Sequence, residues 1–263
     1  PDYDKIEFVN EVSGRDPRLA QTIRTTKGLN FSNCITGYQP HKYIVEANLG
    51  SSAASYNDLP LFRMAEVYLN YAEAKAELGE ITQGDLDISV NKIRARAKMP
   101  NLNLKVANDS PDPYLSSAET GYTNVTGANK GVILEIRRER NIELVLESQN
   151  RWWDLMRWKE GACIGQKMEG LYIPADKIGK AYDVNGDGNA DICVYSGTQP
   201  SVKENVTWFN LDTDYKLSEK GSGKIVFFSD IVRKWNEERD YFYPIPKEDI
   251  ILTGGKIEQN KGW

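Results

Sequence analysis

Leu61-Phe-Arg-Met-Ala-Glu-Val-Tyr-Leu-Asn-Tyr-Ala-Glu-Ala74 is the stretch that decides the fold. Leu61, Ala65, Tyr68, Leu69, Ala72 and Ala76 recur at helical spacing, which gathers them along one helix face. Asn57-Asp58-Leu59-Pro60 precedes them. Asp58 or Asn57 can accept from the free N–H groups of a helix start, and Pro60 fits a first turn because its missing N–H costs nothing there. Gly79 supplies the stop. The small Ala65, Ala72 and Ala76 let a neighbouring helix approach closely. After a short break, Leu86, Val90, Ile93 and Ala97 share a second face that Pro100 closes. Residues 58–99 therefore read as an antiparallel helix hairpin.

Working outward, Val132, Ile133, Ile136, Ile142, Val145 and Leu146 form the apolar set of a charged helix at 131–149. It continues, after a kink, through Asn150-Arg-Trp-Trp-Asp-Leu-Met-Arg-Trp158, so that the charged helix as a whole covers 131–159. Trp152 and Trp153 point about 100° apart on it. Arg137, Arg138 and Arg140 alternate with Glu135, Glu139 and Glu143, a self-neutralising surface rather than a phosphate-binding one. Glu139, Arg140, Glu143 and Arg151 read as a buried structural ion network. Tyr68, Tyr71, Trp152, Trp153 and Trp158 read as core or helix-seam residues.

The remaining segments are richer in turn formers. Residues 1–55 read as irregular with short strands: Asp16-Pro17 marks a turn, Gly28, Asn30, Asn33 and Gly37 break longer elements, and 50–55 form a surface loop. Asp112-Pro113-Tyr114 and Gly121-Tyr122-Thr123 read as exposed turns of a long 100–130 loop. Residues 161–230 form a variable, loop-rich region. Short strands are expected at Asp191–Tyr195 and Lys224–Phe228, with Gly221-Ser-Gly223 as a hairpin turn. Two prolines impose an extended backbone on Tyr241-Phe-Tyr-Pro-Ile-Pro246.

Composition narrows the function classes. The 263 residues are 40% hydrophobic and 27% charged, as in a folded globular chain. The net charge of −5 comes without a dense Lys/Arg stripe, so nucleic acid is not an expected partner. No stretch approaches the 18 apolar residues of a membrane-spanning helix. Cys34, Cys163 and Cys193 are odd in number and lack C-x-x-C spacing, which disfavours structural zinc; a Cys163–Cys193 bridge stays open. His41, the single histidine, has no metal-ligand companions nearby, and no G-x-S-x-G, H-E-x-x-H or phosphate-binding glycine loop occurs.

Two kinds of site are visible. Asp183-Val-Asn-Gly-Asp-Gly-Asn-Ala-Asp191 places oxygen ligands at loop positions one, three, five and nine: Asp183, Asn185, Asp187 and Asp191. Gly188 takes the sixth position, where a calcium loop turns sharply, and Asn189 can offer its carbonyl. Val194 stands at position twelve, where an EF-hand places a bidentate glutamate. Calcium binding and a plain Asp-Asn-Gly turn both fit this loop. For a sugar, the chemistry asks for exposed aromatic faces beside amides, carboxylates or guanidinium groups. Tyr38, Tyr114, Tyr122, Trp208 and Tyr215 are the loop candidates, Trp208 having Asn205, Asn210 and Asp212 close in sequence.

Several segments together resemble the C-terminal portion of the SusD/RagB-like nutrient-binding outer-membrane lipoproteins of Bacteroidetes. They are Leu61–Ala74, Glu135–Glu147 with Arg151–Trp158, and Tyr243-Pro-Ile-Pro-Lys-Glu-Asp249 with Gln259-Asn-Lys-Gly-Trp263. Asp16-Pro-Arg-Leu19 is similar to a further family segment. The resemblance implies a mainly α fold of tetratricopeptide-like helix hairpins, with long irregular loops and a few short strands. It implies that residues 1–263 are the C-terminal portion of a SusD-like domain, and that an N-terminal half carrying a lipid anchor is absent. It also implies a surface-exposed protein of the outer membrane that catalyses nothing. Such a protein captures an oligo- or polysaccharide and hands it to a SusC-like TonB-dependent transporter. Two other readings compete. One is a helical-repeat protein-interaction domain without its own glycan site. The other is a glycoside hydrolase, which requires paired carboxylates about 5–5.5 or 6.5–9.5 Å apart across a cleft.

Overall fold

The computed structural model describes residues 5–26, 29–31, 34–44, 56–147 and 150–263. The loop expected at 50–55, Gly28, Asn33 and residues 148–149 lie outside these. The chain divides into two compact units, one of residues 1–61, 95–99 and 167–231, the other of 62–94, 100–166 and 232–263.

In the first unit, residues 5–44 hold two one-turn helices, α1 (Phe8–Glu11) and α2 (Leu19–Thr22), where short strands were expected. The strand pairing among the described residues there is a lone bridge, Ile23 to Pro40. Six short strands lie along the loop-rich 161–230 region. They are β1 (Met168–Ile173), β2 (Ala181–Tyr182), β3 (Ile192–Tyr195), β4 (Thr207–Asn210), β5 (Lys216–Glu219) and β6 (Ser222–Phe227). The two strands expected from the sequence are β3 and β6, and the expected glycine turn joins β5 to β6. One sheet runs β1-β6-β5, antiparallel throughout. The other runs β2-β3-β4, with β3 and β4 parallel. All four residues of β3 are buried, which is why Ile-Cys-Val-Tyr shows no alternation. Phe8, Phe31, Leu171, Ile173, Ile192, Phe209 and Ile225 are among the side chains of this unit's core.

The second unit is helical. It contains α3 (Met64–Glu77), α4 (Gln83–Ile88), most of α5 (Val90–Arg96), α6 (Leu104–Asp109), α7 (Pro113–Ser116), α8 (Lys130–Glu143), α9 (Asn150–Arg157) and α10 (Lys247–Leu252). The fold is thus predominantly helical with a few short strands. The helix expected from residue 58 begins six residues later. Arg63, not Asn57 or Asp58, precedes it in extended conformation (φ −147°, ψ 155°). Its guanidinium is committed to Glu143 and Glu147 of the opposing segment, at 2.6 Å each, which fixes the entry point. Leu61 is consequently 79% exposed rather than core. The second helix of the hairpin breaks at Ser89 (φ −127°, ψ −95°), whose buried hydroxyl turns back onto the Asp85 carbonyl. Thr82 and Asp85 form a reciprocal capping box at the start of α4.

The charged helix also breaks, at Leu144–Leu146, where Leu146 takes φ +61° and lies half exposed. Helix α8 is buried nearly all round. It carries Val132, Leu134 and Ile136 into the core while burying Arg137, Glu139, Arg140 and Glu143. The ions are paired helix to helix: Arg94 with Glu139 at 2.9 Å, Arg140 with Asp154 at 2.6 Å, and Arg63 with Glu143. The expected network exists, but Arg151 is not part of it. Gly131 is required at the start of α8, because a Cβ there would stand 1.8 Å from the Ala107 carbonyl oxygen of α6.

Candidate functional site

The helical unit holds a recess of about 170 Å³ lined by Thr120, Gly121, Tyr122, Arg151, Leu155, Glu160, Cys163 and Gln166. Helix α9 presents Arg151 and Leu155. The turn after it presents Glu160 and Cys163, and the segment after α7 supplies residues 120–122. Asp112 starts that short helix by accepting from the Tyr114 N–H at 2.8 Å. Tyr122 then folds inward, its N–H donating to the Leu115 carbonyl at 2.8 Å. Its ring meets Trp158 edge-on at 5.5 Å. Its hydroxyl accepts from Arg151 Nη1 at 2.8 Å.

The electrostatics of the recess centre on Glu160. Burial pushes its carboxyl up from the ordinary range, and the Glu237 charge adds to this; the Asn124 backbone N–H and the charges of Arg137 and Arg151 oppose the rise. Its Oε1 is buried and makes no hydrogen bond. Arg137 Nη1 lies 3.8 Å from that oxygen, and Arg137 Nε is itself buried without a partner. Burial lowers the Arg137 pKa. Its guanidinium stacks on Trp158 at 4.6 Å and on Tyr122 at 5.3 Å. Burial, foremost, also raises the Cys163 thiol. All three cysteines are free, so no Cys163–Cys193 bridge forms.

The five aromatic candidates do not gather into one platform. Tyr122, expected on an exposed turn, is 6% exposed and belongs to the helical core. Gly121 rests against the Leu115 carbonyl, and this close turn tucks the ring in. Tyr114, in the same unit, is half exposed. Tyr38, Trp208 and Tyr215 belong to the strand unit. Tyr38 is partly buried against Phe8 and donates to Glu11 at 2.8 Å; burial, then Glu11, raises its pKa. Trp208 meets Tyr195 edge-on at 5.7 Å. Tyr215 packs between Phe209 and Phe227, at 4.9 and 5.7 Å. His41 keeps a buried Nδ1 without a partner.

The Asp183–Asp191 loop closes on its own backbone. Asp183 accepts from the Gly186 and Gly188 N–H groups at 2.7 Å, and Asn185 Oδ1 from the Asp187 N–H at 2.9 Å. Asp191 accepts from the Val184 N–H at 2.9 Å; its carboxyl is raised by burial and by the charges of Asp183 and Asp187. Gly188 takes φ +91°, as the sharp turn requires. The donor types suit calcium, but among the described residues no three His, Cys, Asp or Glu side chains converge as a metal-holding group.

Sequence reasoning missed Glu160, Cys163 and Gln166 as recess residues. No local motif marks them, and only the inward fold of Tyr122 brings residues 120–122 beside α9.

The sequence pattern of the SusD family matches residues 24–263. The chain belongs to the SusD family. Among solved structures, it is similar to a SusD-like carbohydrate-binding protein from Bacteroides fragilis, with a TM-score of 0.56 and 22% identity. The match covers 96% of this chain and 44% of that one, so the chain spans less than half the length of that SusD-like protein. None of the curated proteins matches it. As the SusD resemblance implied, the helix hairpin, the charged helix and the C-terminal Tyr243–Trp263 segment fall inside the matched residues. Among the described residues, no helix is long and apolar enough to cross a membrane.

Proposed function

We propose that a protein carrying this chain captures a glycan at the outer-membrane surface, without catalysis, and delivers it to a SusC-like TonB-dependent transporter. It is held to the membrane by a lipid anchor outside these residues. The observation that carries this reading is the SusD family match across residues 24–263. The recess supports it, because its lining offers a single carboxylate, Glu160, beside Arg151 and Gln166. A glycoside hydrolase would need a pair. Of the proposed ligand-binding aromatics, Tyr114 is half exposed, Tyr38, Trp208 and Tyr215 are partly buried, and Tyr122 contributes through its hydroxyl contact with Arg151. The test is a glycan array probed with the chain and with its full-length parent, followed by reducing-end assays on every retained glycan. Saturable retention without new reducing ends is expected. Retention of no glycan, or turnover of one, overturns the reading. Co-purification of the parent with a TonB-dependent transporter tests the delivery step.

We also propose that calcium orders the 183–191 loop through Asp183, Asn185, Asp187, the Asn189 carbonyl and Asp191. Three carboxylates and an amide alternate there within nine residues around the glycine turn. Calcium titrated into chelator-treated protein should bind saturably, and Asp187→Ala should abolish the binding. No heat and an unchanged melting temperature would count against the site.

A further inference from the structure

We infer that the outer face of α3 is a docking seam for an amphipathic helix from the part of a SusD-like protein that lies outside these residues. The inference rests on the family match and not on what the protein captures. Helix α3 is apolar on two faces. Ala65, Leu69, Ala72 and Ala76 bury one of them in the core of the helical unit. Met64, Val67, Tyr71, Ala74 and Leu78 make the other, at an unbroken three-four-three-four spacing. Leu78 follows the last helical residue and keeps helical conformation (φ −73°, ψ −9°), so it continues the stripe. At about 100° per residue, the second stripe lies roughly 150° round the helix from the first and looks away from the core. Met64, Val67 and Leu78 are 60, 55 and 71% exposed, Tyr71 is 38% exposed, and Ala74 is exposed as well. Single exposed apolar residues need no explanation, but a continuous stripe about 21 Å long does.

The spacing selects a helix as the occupant. Apolar residues at alternating three and four steps form the seam of a paired helix, each knob entering a hole of its neighbour. A helix apolar on opposite faces is covered on both in a folded protein. The chemistry of the stripe disfavours other occupants. A sugar needs polar groups beside a ring face. The hydroxyl of Tyr71 is the single hydrogen-bonding group among the five side chains, and it already donates to Asp85 of α4. A lipid surface needs a cationic rim. Here Asn70 and Glu77 flank one side and Lys75 the other. Lys75 is paired with Glu80 at 3.2 Å, and Glu77 with Arg137 at 3.4 Å. The Asp85 contact also holds the Tyr71 ring in place before docking, which lowers the ordering cost of association. The family supplies the occupant. The match to the SusD-like protein covers 96% of this chain and 44% of that one, so more than half of a protein of that kind lies beyond what these residues represent.

The test is maleimide labelling of Val67→Cys and Ala74→Cys, in this chain and in its full-length parent. Rates are referred to the urea-unfolded protein, and the wild type gives the background of its three native cysteines. In this chain both positions should label at close to the unfolded rate. In the parent both should label at least about tenfold more slowly, because the seam opens only when the docked helix lifts. Val67→Glu adds a second readout. It should lower the melting temperature of this chain by no more than about 1 °C, as an exposed substitution does, and that of the parent by about 3 °C or more. Equal labelling of chain and parent overturns the inference. Slow labelling of this chain alone, deepening with protein concentration, assigns the seam to a second copy and also overturns it. So does protection of the parent that appears only when a TonB-dependent transporter is bound. Protection of the parent stands whether or not a glycan array retains it, so this inference and glycan capture fail separately.

Discussion

Glu73 on α3 is 5% exposed and holds the end of α9. Its carboxylate accepts from both terminal nitrogens of Arg157, Nη2 at 2.7 Å, and from the Trp158 indole N–H at 2.6 Å. Glu73→Ala removes every one of these acceptors. A buried indole donor left unpaired costs about 1–3 kcal/mol. Breaking a fully buried ion pair would add about 3–5 kcal/mol. The Arg157 side chain, however, is 43% exposed and keeps Asp154 at 2.9 Å. Solvent screening therefore reduces the ionic share to about 1 kcal/mol. The total of about 3 kcal/mol should lower the melting temperature by roughly 6–12 °C. Glu73→Gln keeps an oxygen for Trp158 and should lose only about 1 kcal/mol.

The pH dependence gives an independent check. Burial raises the Glu73 carboxyl, but hydrogen bonds from Arg157 and Trp158, with the charges of Arg157 and Arg140, outweigh it and hold the pKa below its ordinary value. A carboxyl depressed in the folded state stabilises fully above its unfolded pKa of about 4.3. That stabilisation is lost as pH falls through the folded value. The gap in melting temperature between wild type and Glu73→Ala should thus be widest at neutral pH and narrow below about pH 4. Calorimetric melting across that range measures it. A gap at neutral pH of no more than about 2 °C, or a full gap that does not change with pH, would refute the clamp.

Gly131→Ala should cost about 2–3 kcal/mol, because the added Cβ falls 1.8 Å from the Ala107 carbonyl oxygen and α8 must lift from α6; urea denaturation reads the loss. Phe209→Ala should cost about 3–5 kcal/mol, since the ring is 1% exposed in the strand-unit core; the same denaturation curve measures it. Glu160→Gln should raise the melting temperature above about pH 6 and leave it unchanged near pH 4. The Glu160 carboxyl, which faces Arg137, Arg151 and Glu237, is raised chiefly by burial, so its favourable protonated form is lost as pH rises.

The helical half of the fold was largely legible in the sequence, and its errors have physical causes. Helix α3 is apolar on two faces. Ala65, Leu69, Ala72 and Ala76 are buried, while Met64, Val67, Tyr71 and Leu78 are exposed at the same three-and-four spacing. Periodicity alone cannot choose between two such stripes, so Leu61 entered the expected core. The start of the helix was misplaced because a good local cap, Asn57-Asp58 before Pro60, competes with a long-range one. Arg63 reaches Glu143 and Glu147 some eighty positions away, and no window of sequence displays that pairing. The strand unit was less legible. Its strands are short, β3 is buried on every residue, and two of its neighbours pair in parallel, so alternation never develops.

The recess was illegible for a related reason. The sequence pattern puts Tyr122 on an exposed turn, whereas its ring is buried. Yet Tyr122 does reach the recess, through its hydroxyl and Arg151. What marks the place is not an aromatic face but a deficit: a Glu160 Oε1 that the fold buries without a hydrogen bond, its ion-pair partner Arg137 Nη1 standing 3.8 Å away. A deficit of this kind is a property of three-dimensional neighbours. Glu160 ends a helix in the sequence as many exposed glutamates do, and only the segments that close around it make its oxygen costly. The scaffold pairs Glu73, Glu139, Glu143 and Asp154 with arginines at 2.9 Å or closer, and Glu160 with Arg137 at 3.8 Å. The Arg137 guanidinium stands off because it stacks on Trp158 at 4.6 Å and on Tyr122 at 5.3 Å.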